Sequence, residues 1–205
     1  QLDGIFANDV QQFSQELRLA SPGGQFFDYV VGLFYYDSKS DEIYRRDRTE
    51  CNGTLANLPN GLTPCAALTQ GYGEAKYGSD LQSWAVFGEG TFNFTDRLRG
   101  VAGVRYTSDD LSYYHERFST FGNGDVGGIR KTKPLVEGQT DESGVSGRAG
   151  LQFDLAESVM IYGTYSRGYK GPAFNPFFGF QSFDETPIDP EESDSFEIGL
   201  KSMLL

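Results

Sequence analysis

The chain has 205 residues, enough for one or two ordinary domains, and its net charge is −12. This acidity argues against a nucleic-acid partner, because phosphate binding needs a basic face. Mean hydropathy is −0.43, and the longest apolar run, Tyr29–Tyr36, falls far short of the ~20 residues that a membrane-spanning helix needs.

The first part of the chain predicts two strands and a long loop. Gln11–Ala20 alternates apolar and polar residues, and Phe27–Asp37 does the same after a turn rich in Pro and Gly. A polar segment follows, from about Ser38 to Asp80, and is predicted as a loop.

The stretch Ser83–Thr107 predicts a β-hairpin. Its two runs alternate with a period of two, and a short connection, Thr95–Arg97, joins them. One face collects apolar residues such as Trp84 and Val104, and the other carries charged side chains.

The same pattern returns later in the chain. A second polar loop is predicted over about Glu116–Glu142, and Val145–Tyr165 forms another hairpin with a three-residue connection. A third loop runs to about Pro190, and Ser193–Ser202 is the last predicted strand.

These seven strands alternate short and long connections, and all the long ones fall at one end of the sheet. Short periplasmic turns and long extracellular loops are typical of a transmembrane β-barrel, and strands of about ten residues suit a tilted crossing. A soluble β-sandwich also alternates apolar and polar residues and is the alternative. We favour the all-β, antiparallel transmembrane barrel because of the loop asymmetry.

Several segments resemble the barrel of TonB-dependent outer-membrane receptors. The segments are Ser14–Leu19, Val30–Tyr36, Leu98–Thr107 with its G-V-R-Y-T ending, Tyr165–Gly171 followed by Phe174-Asn175, and Pro190–Ser193 leading into Phe196–Ser202. Their order and spacing across nearly the whole chain carry the resemblance. It implies a barrel of about 22 strands, plugged by a separate domain, in the outer membrane of a Gram-negative bacterium.

The resemblance also implies a function and partners. We expect uptake of a scarce small-molecule ligand, such as a metal–siderophore chelate, cobalamin or an oligosaccharide, with energy from the TonB complex. Residues 1–205 contain no plug and no TonB-contacting box, so we expect a partial barrel whose remaining strands and plug lie elsewhere. A passive porin-like barrel is the alternative within the membrane class. No enzyme constellation and no cofactor motif is predicted.

Two cysteines, Cys51 and Cys65, lie in the first predicted loop. Export to an oxidising compartment favours a disulfide between them over a metal pair, since no His is near.

Seven charged residues are predicted to face the barrel lumen. They form either a polar wall for plug or ligand, or a mutually compensating charge network, which is the interpretation we favour. The residues are Glu89, Arg99, Arg105, Arg148, Asp154, Glu197 and Lys201.

Six further residues are candidates for ligand contact in loops at the barrel mouth: Tyr113, Tyr114, His115, Phe174, Phe177 and Phe178. For His115, the single His, we favour a solvated strand end over a ligand or metal contact. For the phenylalanines, packing among the loops is an equal alternative to ligand capture.

Overall fold

The computed structural model describes residues 2–51, 65, 67–120 and 128–203. It contains one antiparallel sheet in which every strand pairs with its neighbours in sequence, in the order β1-β2-β3-β4-β5-β6-β7. The strands are β1 (Leu2–Ala20), β2 (Phe27–Cys51), β3 (Leu68–Asn93), β4 (Leu98–Ser119), β5 (Lys133–Ala156), β6 (Val159–Lys170) and β7 (Glu191–Ser202). The prediction of seven antiparallel strands is confirmed, and the sheet is open, with β1 and β7 at its edges.

The short turns 21–26, 94–97 and 157–158 lie at one end of the sheet, and the long connections lie at the other. We call these the turn end and the loop end. Among the described residues, the last connection holds a short 3₁₀-helix, Ser182–Glu185, and an antiparallel bridge between Ala173 and Ile188. No helix in the described part of the chain is long and apolar enough to cross a membrane.

The predicted first and second loops are largely wrong. β2 continues to Cys51, and β3 begins at Leu68, so most of the segment Ser38–Asp80 is strand. Likewise β4 runs to Ser119 and β5 begins at Lys133. The apolar alternation fades there because polar residues lie on both faces, although the backbone ladder continues without a shift between β2 and β3.

The sheet has two distinct faces. The pairing register aligns the side chains of each face from one strand to the next. The charged face carries Glu89 on β3, Arg105 on β4 and Arg148 on β5. The apolar face carries large exposed hydrophobic side chains in the half of the sheet nearest the turn end: Leu17, Leu19, Val31, Leu33, Trp84, Val86, Val104, Leu151, Ile198 and Leu200.

The buried core is small and lies on the charged face near the loop end. The buried apolar residues of this core are Ala75, Tyr77, Leu111, Tyr113, Ile129, Phe178 and Phe180. Strand residues supply its floor, and residues of the last two long connections cover it.

A β-bulge interrupts the pairing of β4 with β5 at this end. His115 pairs with Val136, but Arg117 pairs with Lys133, so β5 holds one extra residue around Pro134. Proline has no backbone N–H for the ladder, which a bulge tolerates. Because side chains alternate along a strand, the extra residue turns Lys133 to the charged face.

Candidate functional site

The charged face is spanned by ion pairs that reach across strands. Arg148 Nε and Nη2 donate to the two carboxylate oxygens of Glu89, each at 2.7 Å. The two side chains come from strands on either side of β4, and Gly103 lies between them. A Cβ at Gly103 would lie 3.1 Å from Glu89 Oε2, so glycine leaves room for this bridge.

Other predicted lumen residues are also paired on this face. Arg99 Nη2 lies 3.0 Å from Asp154 Oδ2. Tyr162 links two more of them, because its hydroxyl donates to Glu197 while the Lys201 ammonium lies 5.1 Å from its ring centroid.

Arg105, the remaining member of that set, contacts rings rather than a carboxylate in the described chain. Its guanidinium lies 5.0 Å from the Phe34 centroid and 5.8 Å from that of Phe87. A cation over an aromatic ring is attracted by the ring quadrupole. The structure thus places all seven residues on one face and gives each a partner; whether ligand passes them stays a prediction.

His115 is enclosed between two aromatic rings at the loop end. Its imidazole stacks on Phe180 at 4.7 Å and on Tyr77 at 6.0 Å between centroids. The side chain is 0% exposed, so the prediction of a solvated strand end is wrong. Burial, and then the nearby Arg117 charge, lowers the pKa of His115 to about 4, so the ring is neutral at pH 7.

Arg117 fixes the last long connection to the sheet. Its Nη1 donates to the carbonyls of Phe178 at 2.6 Å and Phe180 at 3.2 Å, and its Nε donates to the carbonyl of Lys131 at 2.9 Å. The side chain is buried. One guanidinium therefore holds backbone from two connections against β4.

Phe178 fills the second half of this cluster. It packs on Tyr44 at 5.0 Å between ring centroids, within the buried group that includes Ile129. Arg46 lies over the same ring at 4.8 Å and donates to the carbonyl of Gly128 at 2.9 Å. Two connections are thus interlocked over the charged face.

The six predicted ligand-contacting residues do not form one group. Tyr113, Tyr114 and His115 belong to β4, not to a loop. Tyr113 packs on Phe174 at 4.3 Å between centroids, whereas the Tyr114 hydroxyl donates to Asp41 on the opposite face at 2.9 Å.

Phe177 remains partly exposed, and Phe178 is buried among the connections. Of the two alternatives for the phenylalanines, the structure shows packing among the loops for Phe178.

A basic cleft opens beside this aromatic cluster. It has a volume of about 690 Å³. Its lining is Arg117, Arg130, Lys131, Thr132, Lys133, Pro134, Phe180, Gln181, Ser182 and Phe183. Lys133 Nζ lies 2.7 Å from Glu185 Oε1 and 5.6 Å from the Phe180 centroid. Among the described residues, no group of three or more His, Cys, Asp or Glu side chains is arranged to hold a metal ion.

Comparison with known proteins identifies the family of this sheet. Residues 2–205 match the family described as TonB dependent receptor-like, beta-barrel. The chain belongs to this family. The resemblance found in the sequence is confirmed, and the open sheet is part of a TonB-dependent receptor barrel.

Solved structures agree with this receptor fold. The ferric yersiniabactin uptake receptor FyuA from Yersinia pestis is 20% identical in sequence to this chain and superposes with a TM-score of 0.75. The match includes 99% of this chain and 28% of the FyuA chain. The siderophore receptor PiuA from Acinetobacter baumannii is 16% identical in sequence, with a TM-score of 0.61, and the match includes 98% of this chain and 30% of the PiuA chain. The chain therefore spans less than a third of these receptors.

The two cysteines of this receptor barrel are bonded in the structure. Cys51, the last residue of β2, and Cys65 have Cα atoms 5.4 Å apart. Residues 52–64, which the bond encloses, lie outside the described residues. Oxidation of the pair in the cell stays a prediction.

Sequence reasoning missed the residues that hold the loop end of the sheet together. Arg117 follows Tyr113 and His115 at the same period of two, so the alternation alone places all three on one face. Phe180 and Ile129 carry no comparable signal, because their burial depends on how two connections fold back onto the sheet.

Proposed function

We propose that this chain forms part of the wall of an outer-membrane receptor that takes up a scarce small-molecule ligand with energy from the TonB complex. The observation that carries the proposal is the division of the sheet into an apolar face and an ion-paired charged face, in a chain of the TonB-dependent receptor-like family. The apolar face would meet lipid in the outer membrane of a Gram-negative bacterium. The charged face would line the lumen.

The dimensions of the sheet suit this placement. A tilted strand crosses the hydrocarbon region with about ten residues, and most of the exposed apolar side chains of the strands lie on roughly that length next to the turn end. The longer strands β2 to β4 would project beyond the membrane, which puts the aromatic cluster and the basic cleft on the extracellular side. Residues 1–205 would then be one part of a larger barrel, and coupling to TonB would run through a plug domain of the complete receptor.

A metal–siderophore chelate is the ligand class we propose. The support is that FyuA is a ferric yersiniabactin uptake receptor and PiuA a siderophore receptor. Cobalamin and oligosaccharides have no such support among these neighbours.

The test is uptake of radiolabelled iron chelates by iron-starved cells of the source bacterium. We expect deletion of the receptor gene to abolish uptake of at least one chelate, and loss of TonB or collapse of the proton gradient to do the same. Uptake that needs the receptor but persists without TonB would refute active transport and indicate a passive, porin-like pore. Recovery of the full-length protein in the soluble fraction would refute the barrel assignment.

A further inference from the structure

Strand β5 has a free edge inside the sheet. It pairs with β4 over residues 133–153, but with β6 only over residues 147–156. β6 ends at Lys170, and Arg117 holds the connection that follows against the charged face. Among the described residues, no strand and no isolated bridge pairs with 133–146 on the side of β6. We call this stretch the free edge.

Closure of the barrel would not cover the free edge. Further barrel strands would pair with β1 and β7, the outermost strands of the sheet. The free edge instead lies between β5 and β6, which are already neighbours, so an additional strand of the barrel has no place beside it. β5 has 24 residues and β6 has 12, which leaves a notch in the wall about 40 Å long at ~3.3 Å per residue.

The free edge is regular and accessible. From Val136 onward its other side keeps one register with β4, so backbone N–H and C=O groups face the notch at every second residue. Exposed side chains accompany them: Glu137, Gln139, Asp141, Glu142 and Ser143. Such an edge is a template on which another extended chain is able to add a strand.

Other parts of the chain meet the free edge at its two ends. At one end Lys133 contacts Glu185 of the last connection, at 2.7 Å. At the other end the ring of Tyr169 lies against Gly144. The stretch 135–143 lies between these contacts, so a strand docked on it would have a defined position.

The charges around the notch indicate which chain it would accept. Arg167 and Lys170, near the end of β6, pair with Glu192 and Glu191. Further carboxylates lie along the free edge and around the start of β7: Glu137, Asp141, Glu142, Asp189 and Asp194. Like charges on directly opposed strand residues destabilise a sheet, so a second copy of this edge is a poor partner. A strand that carries Lys or Arg is a good one.

We propose that the free edge of β5 binds an extended, cationic segment of an extracellular polypeptide, which adds a strand to the wall above β6. Backbone hydrogen bonds to β5 would hold the segment, and its Lys or Arg side chains would meet the carboxylates. The inference rests on the proposed placement of the loop end outside the cell. It goes beyond the proposed uptake function, because the partner is a polypeptide rather than the transported small molecule.

The experiment measures peptide binding to the purified full-length receptor. The probe is a peptide of five Lys-Thr repeats, and the matched control is the same peptide N-methylated at every residue. Methylation removes the backbone donors and keeps the side-chain charges. We expect the unmethylated peptide to bind at least about tenfold more tightly, because several backbone hydrogen bonds are lost in the control. Equal affinities would overturn the proposal, since charge attraction alone would explain them, and so would binding of neither peptide.

Hydrogen exchange locates the bound peptide. In the free receptor, every second amide of 135–143 should exchange rapidly, and the Lys-Thr peptide should protect these amides. Protection of the same amides in the free, monomeric receptor would show that another part of the receptor covers the edge. Protection that appears only in a receptor dimer would place a second copy there. Either result would overturn the proposal.

Variants test the role of the carboxylates. Glu137→Gln/Asp141→Asn/Glu142→Gln should weaken binding of the Lys-Thr peptide by about tenfold. The control Asp9→Asn/Asp37→Asn/Asp80→Asn removes the same charge from strands β1 to β3 and should change the affinity much less. An equal loss in both variants would show a general charge effect and contradict a site at the free edge.

These outcomes are separate from those of the proposed function, because peptide binding is measured without a chelate and without an energy source. Failure of the Lys-Thr peptide to bind would leave TonB-dependent uptake standing. Absence of energy-coupled uptake would overturn the receptor function and would not explain a difference between the methylated and unmethylated peptides.

Discussion

Truncation of Phe180 should release the last long connection, 171–190, from the sheet. Its ring is 0% exposed and lies 4.7 Å from the His115 centroid and 5.4 Å from that of Tyr113. Phe→Ala substitutions in packed interiors cost about 3–5 kcal/mol. At 1.4 kcal/mol per tenfold change, Phe180→Ala should make local opening of this segment between about 10² and about 4 × 10³ times more frequent.

Hydrogen exchange measured by mass spectrometry on the full-length receptor detects this opening, because exchange reports local unfolding. Phe183→Ala is the matched control: the same residue type lies on the same connection but is 70% exposed, so its effect should stay within about 0.5 kcal/mol. Peptides from 171–190 should lose protection in Phe180→Ala only, and the strands near the turn end should keep theirs. Equal exchange in the two variants would refute the reasoning that Phe180 anchors the connection.

Three further predictions concern the membrane face, the disulfide and pH. Val104→Arg should lower the stability of the folded barrel by about 2–4 kcal/mol if this residue lies near the membrane midplane, whereas Val101→Arg, on the charged face, should be tolerated. Heat-modifiable gel mobility of the full-length protein measures the folded fraction of each variant. Equal folded fractions would contradict the assignment of the two faces. Cys51→Ser/Cys65→Ser should destabilise the closed loop by about 3 kcal/mol on the chain-entropy model, seen as faster proteolysis between β2 and β3; unchanged cleavage argues against the bond. The pKa of His115 is lowered to about 4 in the folded protein, so the imidazole binds a proton more readily when the segment is undocked. Docking of 171–190 should therefore be strongest above pH 6.5 and weaken as the pH falls towards about 4. His115→Phe should abolish this pH dependence of hydrogen exchange, and a dependence that survives the substitution would point to another titrating group.

The part of the fold next to the turn end was predictable because its two faces differ in polarity. A strand with lipid on one side and water on the other must alternate, so Trp84 and Val104 identify their face from sequence alone. The same alternation grouped Glu89, Arg105 and Arg148 correctly on one face, although only the register shows that Glu89 and Arg148 meet across Gly103.

Nearer the loop end the two faces do not differ in this way. Residues 38–51 form strand with polar groups on both sides, and a sequence without apolar alternation indicates a loop by every local rule. The exposure of His115 was misjudged for a different reason. Its burial depends on Phe180, which is distant in sequence and reaches His115 only when the connection 171–190 folds onto the sheet. Contacts of that kind are tertiary and leave no local signal.

The bulge at Pro134 lies next to the first residue of β5, so the rest of the strand is not affected by it: from Val136 to Phe153 the pairing with β4 keeps one register. In a regular ladder Lys133, three residues before Val136, would face the opposite side of the sheet. The bulge instead brings its ammonium to Glu185 and to the ring of Phe180. A single irregular step at the end of one strand therefore decides on which side of the sheet this positive charge lies.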